Sequence, residues 1–152
     1  MQTFSPQQSH IHIITRVILL QGDGIVLCRV KGHERFFLPG GHVEDGELAE
    51  EALKRELKEE LGIAECENIA FAGVCEGAFP RDREHEIFQH EVCLVFEAHI
   101  PEGEIVSRED HIEFICVDRE HLNEYALMPT PMRSGIMEWF TTRKPFFRSF
   151  QD

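Results

Sequence analysis

The sequence predicts a single domain of mixed helix and strand, of the α/β or α+β class. Runs with strand-like alternation occur in both halves of the chain, and a long segment between them carries apolar residues at helical spacing. The 152 residues suffice for one domain with a substantial core and are few for two. Hydrophobic residues make up 42% of the chain and charged residues 28%, as in ordered globular proteins.

The first half is predicted to contain a β-hairpin and a helix. Apolar side chains alternate over residues 11–19, a Gly-Asp-Gly turn follows, and residues 25–28 are predicted to form the returning strand. Residues 47–61 carry alanines and leucines at helical spacing, and Gly62 supplies a stop at the C-terminal end. We therefore expect strand, turn, strand and helix in that order.

The second half is predicted to add three strands and two shorter helical segments. The predicted strands are 69–74, 91–99 and 112–117, a charged loop is 80–85, and the helical segments are 119–125 and 132–142. These elements predict a folded domain over residues 10–142, a flexible N-terminal segment over 1–9 and a C-terminal tail over 143–152.

The charge balance argues against two kinds of partner. There are 15 Lys and Arg residues against 28 Asp and Glu, which gives a formal net charge of −13. A protein that grips nucleic acid through its phosphates needs a basic surface, and so does one that docks on an anionic membrane. We therefore expect no nucleic-acid partner and no membrane. A small molecule that carries phosphate stays compatible if a metal ion neutralises its charge.

The sequence favours a reducing compartment. No stretch reaches the roughly 20 apolar residues that span a bilayer, and the first residues lack the basic start of a signal peptide. The five cysteines are odd in number, widely spaced and without a CxxC pair, which favours free thiols over disulfides or a zinc site. The expected location is the cytoplasm.

The predicted helix carries the strongest chemical signal. Glu56 lies three residues before Glu59 and four before Glu60, so the three carboxylates share one helix face. Like charges at that spacing cost roughly 0.2–0.5 kcal/mol per pair. Mg²⁺ and Mn²⁺ prefer oxygen ligands, and a backbone carbonyl at the preceding Gly40-Gly41 turn would add another. A solvated acidic face explains the helix alone equally well.

Residues at defined spacing resemble the signature of a known family. Gly41, Glu47 and the run Arg55-Glu56-Leu57-Lys58-Glu59-Glu60-Leu61-Gly62-Ile63 resemble the Nudix box, with every defined position filled. The residues Phe37-Leu38-Pro39-Gly40 are similar to its usual lead-in. The chain is thus identified as a MutT-like member of the Nudix hydrolase family. The resemblance implies a Nudix fold, an α/β/α sandwich with a mixed β-sheet in a single domain.

The resemblance also implies an activity and its site residues. The activity is cleavage of a pyrophosphate bond in a nucleoside diphosphate linked to another moiety, with Mg²⁺ or Mn²⁺ as cofactor. Glu56, Glu59, Glu60 and the carbonyl of Gly40 would ligate the metal. Arg55 would orient a glutamate through a charge-assisted hydrogen bond, and Glu59, or else Glu56, would activate the attacking water.

Other candidate residues leave alternatives open. Some family members carry the general base on a later loop, where Glu109, Asp110 and Glu113 are candidates; each is also explained as a surface acid. Arg81 and Arg83 lie in the predicted charged loop and are candidate contacts for substrate phosphates. A solvated hairpin loop explains these two arginines equally well.

The exact substrate and assembly also stay open. Nucleoside triphosphates, ADP-ribose, nucleotide sugars and dinucleoside polyphosphates all contain the scissile bond. Met132 stands near the position where members that sanitise oxidised guanine nucleotides carry an asparagine, which disfavours that activity. The alternative function is a non-catalytic Nudix-like module that senses a nucleotide, and the complete box disfavours it. The resemblance leaves a homodimer open.

Overall fold

The computed structural model describes residues 11–82, 84 and 87–151 of the chain. The predicted flexible segment over 1–9 lies outside these ranges. The described elements are strands β1 (Ile11–Gln21), β2 (Gly24–Val30), β3 (Arg35–Phe36), β4 (Gly40–His42), β5 (Glu67–Asp82), β6 (Ile87–His99), β7 (Ile112–Asp118), β8 (Ala126–Leu127) and β9 (Phe146–Gln151), helices α1 (Ala49–Leu61) and α2 (Met132–Thr142), and a 3₁₀ helix at Arg119–Glu124.

Seven of these strands form one mixed sheet. Its order is β7-β2-β1-β6-β5-β9, and β4 pairs with β1 beside that path. The β1–β6 and β5–β9 pairs are parallel, whereas the remaining pairs of this sheet are antiparallel. β3 and β8 form a separate two-stranded parallel sheet. The mixed sheet agrees with the predicted architecture.

The two α-helices cover opposite faces of the sheet. Val17 and Leu19 of β1 are buried in a cluster with Leu53 of α1. Ile18, between them, is buried in a second cluster that contains Trp139 of α2. Because successive side chains of a strand point to opposite faces, β1 supplies both cores and is buried on each side. This three-layer arrangement confirms the predicted α/β/α sandwich.

The early elements confirm the predicted hairpin and helix. β1 and β2 pair in antiparallel register, with Leu20 opposite Ile25. Helix α1 begins at Ala49, two residues after the predicted start, because the Glu51 side chain accepts a hydrogen bond from the Leu48 N–H at 3.2 Å. It ends at Gly62, whose left-handed φ of 67° closes the last turn.

The later boundaries differ from the prediction. β5 continues to Asp82, so the start of the predicted loop over 80–85 is strand, because antiparallel pairing with β6 continues to that point. Within the predicted tail over 143–152, Phe146–Gln151 forms β9 at the sheet edge, parallel to β5. Phe146 is buried there. Both strands depend on partners that are distant in sequence, which local patterns do not reveal.

Two further expectations from the sequence concern the state of the cysteines and the presence of membrane-spanning helices. All five cysteines lie in the described ranges and are free thiols, as the sequence predicts. Across those same ranges, no helix combines the length and apolar character needed to cross a membrane.

Candidate active site

A glycine turn brings the backbone against helix α1. Gly40 and Gly41 pair with Arg16 and Thr15 of β1. Gly40 has a φ of +146°, and a Cβ at this position would lie 2.0 Å from the Thr15 carbonyl oxygen, so a side chain is excluded. A Cβ on Gly41 would lie 2.4 Å from Oε1 of Glu56. The two glycines therefore allow the Glu56 carboxylate to rest directly on the turn.

Glu60 lies one helical turn further along α1 and is buried. Its residue is 9% exposed, and its Oε2 has no hydrogen-bond partner among the described residues. Burial, together with the neighbouring charge of Glu56, raises the pKa of Glu60 to about 8. Arg16 and a hydrogen bond from the Gly40 N–H oppose this rise. Glu60 is thus a buried carboxyl for which the charge of Arg16 does not offset the cost of ionisation.

Arg55 connects the other carboxylates of the box. Its Nε and Nη2 donate to the two oxygens of Glu47 at 2.7 and 3.0 Å, a bidentate pair. Its Nη1 donates to Glu56 at 3.0 Å and to Glu59 at 3.3 Å. Its Nη2 also donates to the carbonyl of His42 at 3.0 Å. The bond from Arg55 lowers the pKa of Glu47 and ties the loop before the helix to α1.

The three predicted metal ligands of the helix occupy different environments. Glu56 and Glu60 line a cavity of about 420 Å³. The Glu59 side chain is 57% exposed and bonded to Arg55 outside that lining. Within the described part of the chain, no set of three His, Cys, Asp or Glu side chains converges as a preformed metal site. The structure therefore brings two of the three glutamates together and leaves Glu59 at the rim.

The geometry at Glu60 fits a divalent cation. The unpartnered Oε2 of Glu60, the adjacent carboxylate of Glu56 and the carbonyl of Gly40 are all hard oxygen ligands around one turn. A cation held there would supply the positive partner that the buried Glu60 carboxylate lacks. These residues are the ones that would hold Mg²⁺ or Mn²⁺.

Arg16 is a site residue that the sequence reasoning missed. It lines the cavity, and its Nη1 donates to the carbonyls of Leu38 at 3.1 Å and Gly40 at 3.2 Å. It braces the glycine turn and presents positive charge to Glu60. The available signal was an arginine within a mostly apolar strand, where a charged side chain needs a specific partner.

The three later acidic residues, which are candidates for the general base, occupy different environments. Glu113 of β7 pairs with Arg29, which lines the cavity. The charge of Glu109 adds to the raised pKa of Glu60. Asp110 is exposed.

The two arginines predicted to contact phosphate are not part of this cavity as described. Arg81 is exposed near the end of β5 and does not line the cavity. Arg83 lies outside the described residues.

The fold, and the carboxylates of α1 that lie against the glycine turn, agree with a family assignment. A family profile described as NUDIX domain matches residues 10–140, so the chain belongs to the Nudix hydrolase family. Among solved structures, it is similar to the MutT protein of Bacillus halodurans, with a TM-score of 0.76 and 21% identity. That match covers 92% of this chain and 89% of the other, and it supports the fold.

Two kinds of curated relative exceed 30% identity. The NAD-capped RNA hydrolase NudC of Pseudomonas aeruginosa is 33% identical over 126 residues, which covers 79% of this chain and 39% of NudC. The nucleoside triphosphatase NudI of Escherichia coli is 32% identical over 124 residues, which covers 72% of this chain and 84% of NudI. This chain therefore spans about two fifths of the length of the NudC relative.

Proposed function

We propose that this chain is a divalent-metal-dependent pyrophosphohydrolase that acts on a nucleoside diphosphate linked to another moiety. The observation that carries the proposal is the buried Glu60 carboxyl, unpartnered at Oε2, beside Glu56 and the Gly40 turn. In a merely solvated acidic helix, both glutamates would be expected to face water. Burying one carboxylate beside another without a cation raises the free energy of the charged form.

The chain's own residues are assigned the following roles. A bound Mg²⁺ or Mn²⁺ supplies neutralisation of the pyrophosphate and polarisation of its P–O bonds. Glu56, Glu60 and the Gly40 carbonyl hold the cation, with Glu59 completing the set from the rim. Arg55 positions Glu56 and Glu59 through its Nη1 hydrogen bonds.

The hydrolytic step is proposed to use a carboxylate of the same helix as general base. The oxygen of a water molecule bonds to one phosphorus while the bridging P–O bond on the opposite side breaks. Glu59 takes the proton from that water, with Glu56 as the second candidate. Arg16 and Arg29 line the same cavity and offset the charge of the incoming phosphates.

A small nucleotide is the proposed substrate class. The relative that this chain covers over most of its length is named a nucleoside triphosphatase, which favours a nucleoside triphosphate over ADP-ribose or a nucleotide sugar. The net charge of −13 disfavours a long polyanion such as RNA. Free thiols are consistent with the proposed cytoplasmic location.

Hydrolysis is tested by incubating purified protein with each substrate and Mg²⁺ or Mn²⁺ and separating the products by ion-exchange chromatography. Cleavage of the pyrophosphate bond is seen as two new phosphorylated products. The panel contains nucleoside triphosphates, ADP-ribose, nucleotide sugars and dinucleoside polyphosphates. We expect one class to be cleaved, and Glu59→Gln and Glu60→Gln each to lower kcat by about 100-fold or more. Glu65→Gln, an exposed glutamate away from the cavity, is the matched control and should keep wild-type activity.

Two outcomes would count against this function. Full activity in both Glu59→Gln and Glu60→Gln would remove the box helix from the chemistry. Tight nucleotide binding with no turnover on any substrate would favour the alternative, a nucleotide-sensing module.

A further inference from the structure

A second cavity adjoins the candidate active site. It measures about 120 Å³ and shares Arg16 and Phe37 with the wall of the first cavity. Most of the remaining wall is apolar, and Met128, Met132 and Phe150 contribute to it. A flat apolar moiety joined to a phosphate group could therefore occupy the second cavity while its phosphates lie in the first.

One carboxylate interrupts this apolar wall. Among the described residues that line the second cavity, Glu91 of β6 is the only acid and Arg16 the only base. Nη1 of Arg16 already donates to the carbonyls of Leu38 and Gly40. The Glu91 carboxylate is therefore the principal side-chain acceptor that the cavity offers to a ligand.

The surrounding strands hold Glu91 in place. Gln89, two residues earlier on the same strand face, donates from Nε2 to Oε1 of Glu91 at 2.7 Å. Gly77 lies opposite Glu91 on β5 and carries no side chain. The Phe150 ring occupies the space in front of Gly77, where a Cβ would lie 2.0 Å from the ring. The carboxylate is thus oriented by an amide and lies beside an aromatic surface.

The charges that line the two cavities determine how a phosphate-bearing ligand would be oriented in them. A carboxylate repels the phosphates, whereas Arg16 and Arg29 at the first cavity attract them. The group beside Glu91 must carry no negative charge and must donate hydrogen bonds, because the carboxylate is only an acceptor. Two adjacent N–H donors would match its two oxygens, as a bidentate arginine does.

We propose that Glu91 is a specificity-determining residue that selects a ring with two adjacent N–H donors on one edge. This is the edge of a 2-amino-4-oxopyrimidine, which presents a ring N–H beside an exocyclic NH₂ in guanine nucleotides and in pterins. The inference rests on the proposed function, because it assigns the substrate class of the same site. A ring that presents carbonyl oxygens there would place partial negative charge against the carboxylate and supply it with no hydrogen bond.

The first test compares substrates that differ by a single donor. GTP and ITP share every group except the 2-amino group, so their kcat/KM ratio isolates one hydrogen bond to Glu91. We expect the wild type to prefer GTP by about 10- to 100-fold, as for a hydrogen bond to a charged group. In Glu91→Gln the ratio should collapse toward one, whereas Glu120→Gln, an exposed matched control, should keep it. Comparing GTP with a pterin triphosphate distinguishes the two sources of this edge.

A second test separates this inference from the proposed function. Binding of guanosine, which has no phosphate, is measured by NMR titration in metal-free buffer with inosine as the comparison. Weaker guanosine binding by Glu91→Gln than by the wild type supports the inference even if no nucleotide is hydrolysed. Hydrolysis with no preference for GTP, or with the same preference in Glu91→Gln, would overturn the inference and leave the hydrolase proposal standing.

Discussion

Among single residues, Glu60 gives the physical reason for the proposed cation requirement. Its carboxyl is buried and its Oε2 is unpartnered, and the charge of Glu56 adds to the cost of ionising it. A cation between the two carboxylates would offset both penalties. Arg55 meets the same need for the outer carboxylates, because it is bonded to Glu47, Glu56 and Glu59. The buried carboxylate is therefore the one left to an external cation.

Divalent metal should stabilise the protein through Glu60. At a Mn²⁺ concentration ten times its Kd, binding contributes about 1.4 kcal/mol and raises Tm by about 3–6 °C for a chain of this size. Glu60→Gln should lose most of this rise, because a neutral amide is a poorer partner for a hard cation. The measurement is a thermal melt with and without Mn²⁺, which needs no substrate.

The matched control for that melt is Glu65→Gln, which is exposed and removes the same charge elsewhere. It should respond to Mn²⁺ as the wild type does. An equal rise in Glu60→Gln would show that the cation binds without this residue.

At the scale of elements, a buried ionic network fastens α2 to the sheet. Glu97 of β6 is 2% exposed and accepts from Nε1 of Trp139 at 2.7 Å. Arg143, just after α2, donates to both of its oxygens at 2.6 and 2.8 Å and lies over the Trp139 ring. Burial alone would raise the pKa of Glu97, but bonds from Arg143, Trp139 and His99 outweigh it and lower the pKa to about 2.

This network predicts a specific loss of stability in acid. Because the folded pKa of Glu97 lies below the value of 4.5 for a free side chain, its contribution is present above pH 4.5 and disappears as the pH falls toward 2. We expect Glu97→Gln to lower the free energy of unfolding at pH 7 by about 2 kcal/mol. The difference from wild type should shrink as the pH falls.

Urea unfolding at pH 7, 4 and 3 measures this difference, with Glu120→Gln as an exposed control. A gap between wild type and Glu97→Gln that stays constant across this range would contradict the assignment, since it would mean that the charge of Glu97 makes no contribution.

The last strand makes a second prediction at this scale. β9 pairs with β5, buries Phe146 and supplies Phe150 to the second cavity. Removing residues 143–152 also removes Arg143 from Glu97. We expect this deletion to cost more than about 3 kcal/mol, because loss of one buried Phe side chain already costs that much.

Thermal and urea unfolding of the shortened chain provide the measurement. Removal of residues 1–9, which the sequence predicts to lie before the folded domain, is the control and should cost little. A shortened chain lacking 143–152 that unfolds like the full chain would mean that this segment is a tail after all.

For the molecule as a whole, two arginines at the cavity carry charge that is opposite in sign to the net charge. The net charge of −13 repels phosphates at long range, yet Arg16 and Arg29 line the cavity where phosphates would lie. A compact substrate can meet these local charges without covering much of the acidic surface. This distribution supports a small nucleotide over a polymer, in line with the proposed function.

Local features of the site could be predicted from neighbouring residues alone. The spacing of Glu56, Glu59 and Glu60 puts them on one helix face, and the paired glycines mark a turn, because both properties depend only on neighbouring residues. The hairpin, the helix and most strands followed from periodicity for the same reason. The family resemblance extended these local patterns to the three-layer fold.

Which of these residues share an environment depends on contacts between segments that are distant in sequence. Burial of Glu60 rather than Glu59 depends on the Gly40 turn of β4 and on Arg16 of β1. The second cavity, which contains Glu91, and strand β9 both depend on segments that meet only in the sheet. Pairing between distant strands leaves no periodic signal in either strand, so the sequence does not reveal these contacts.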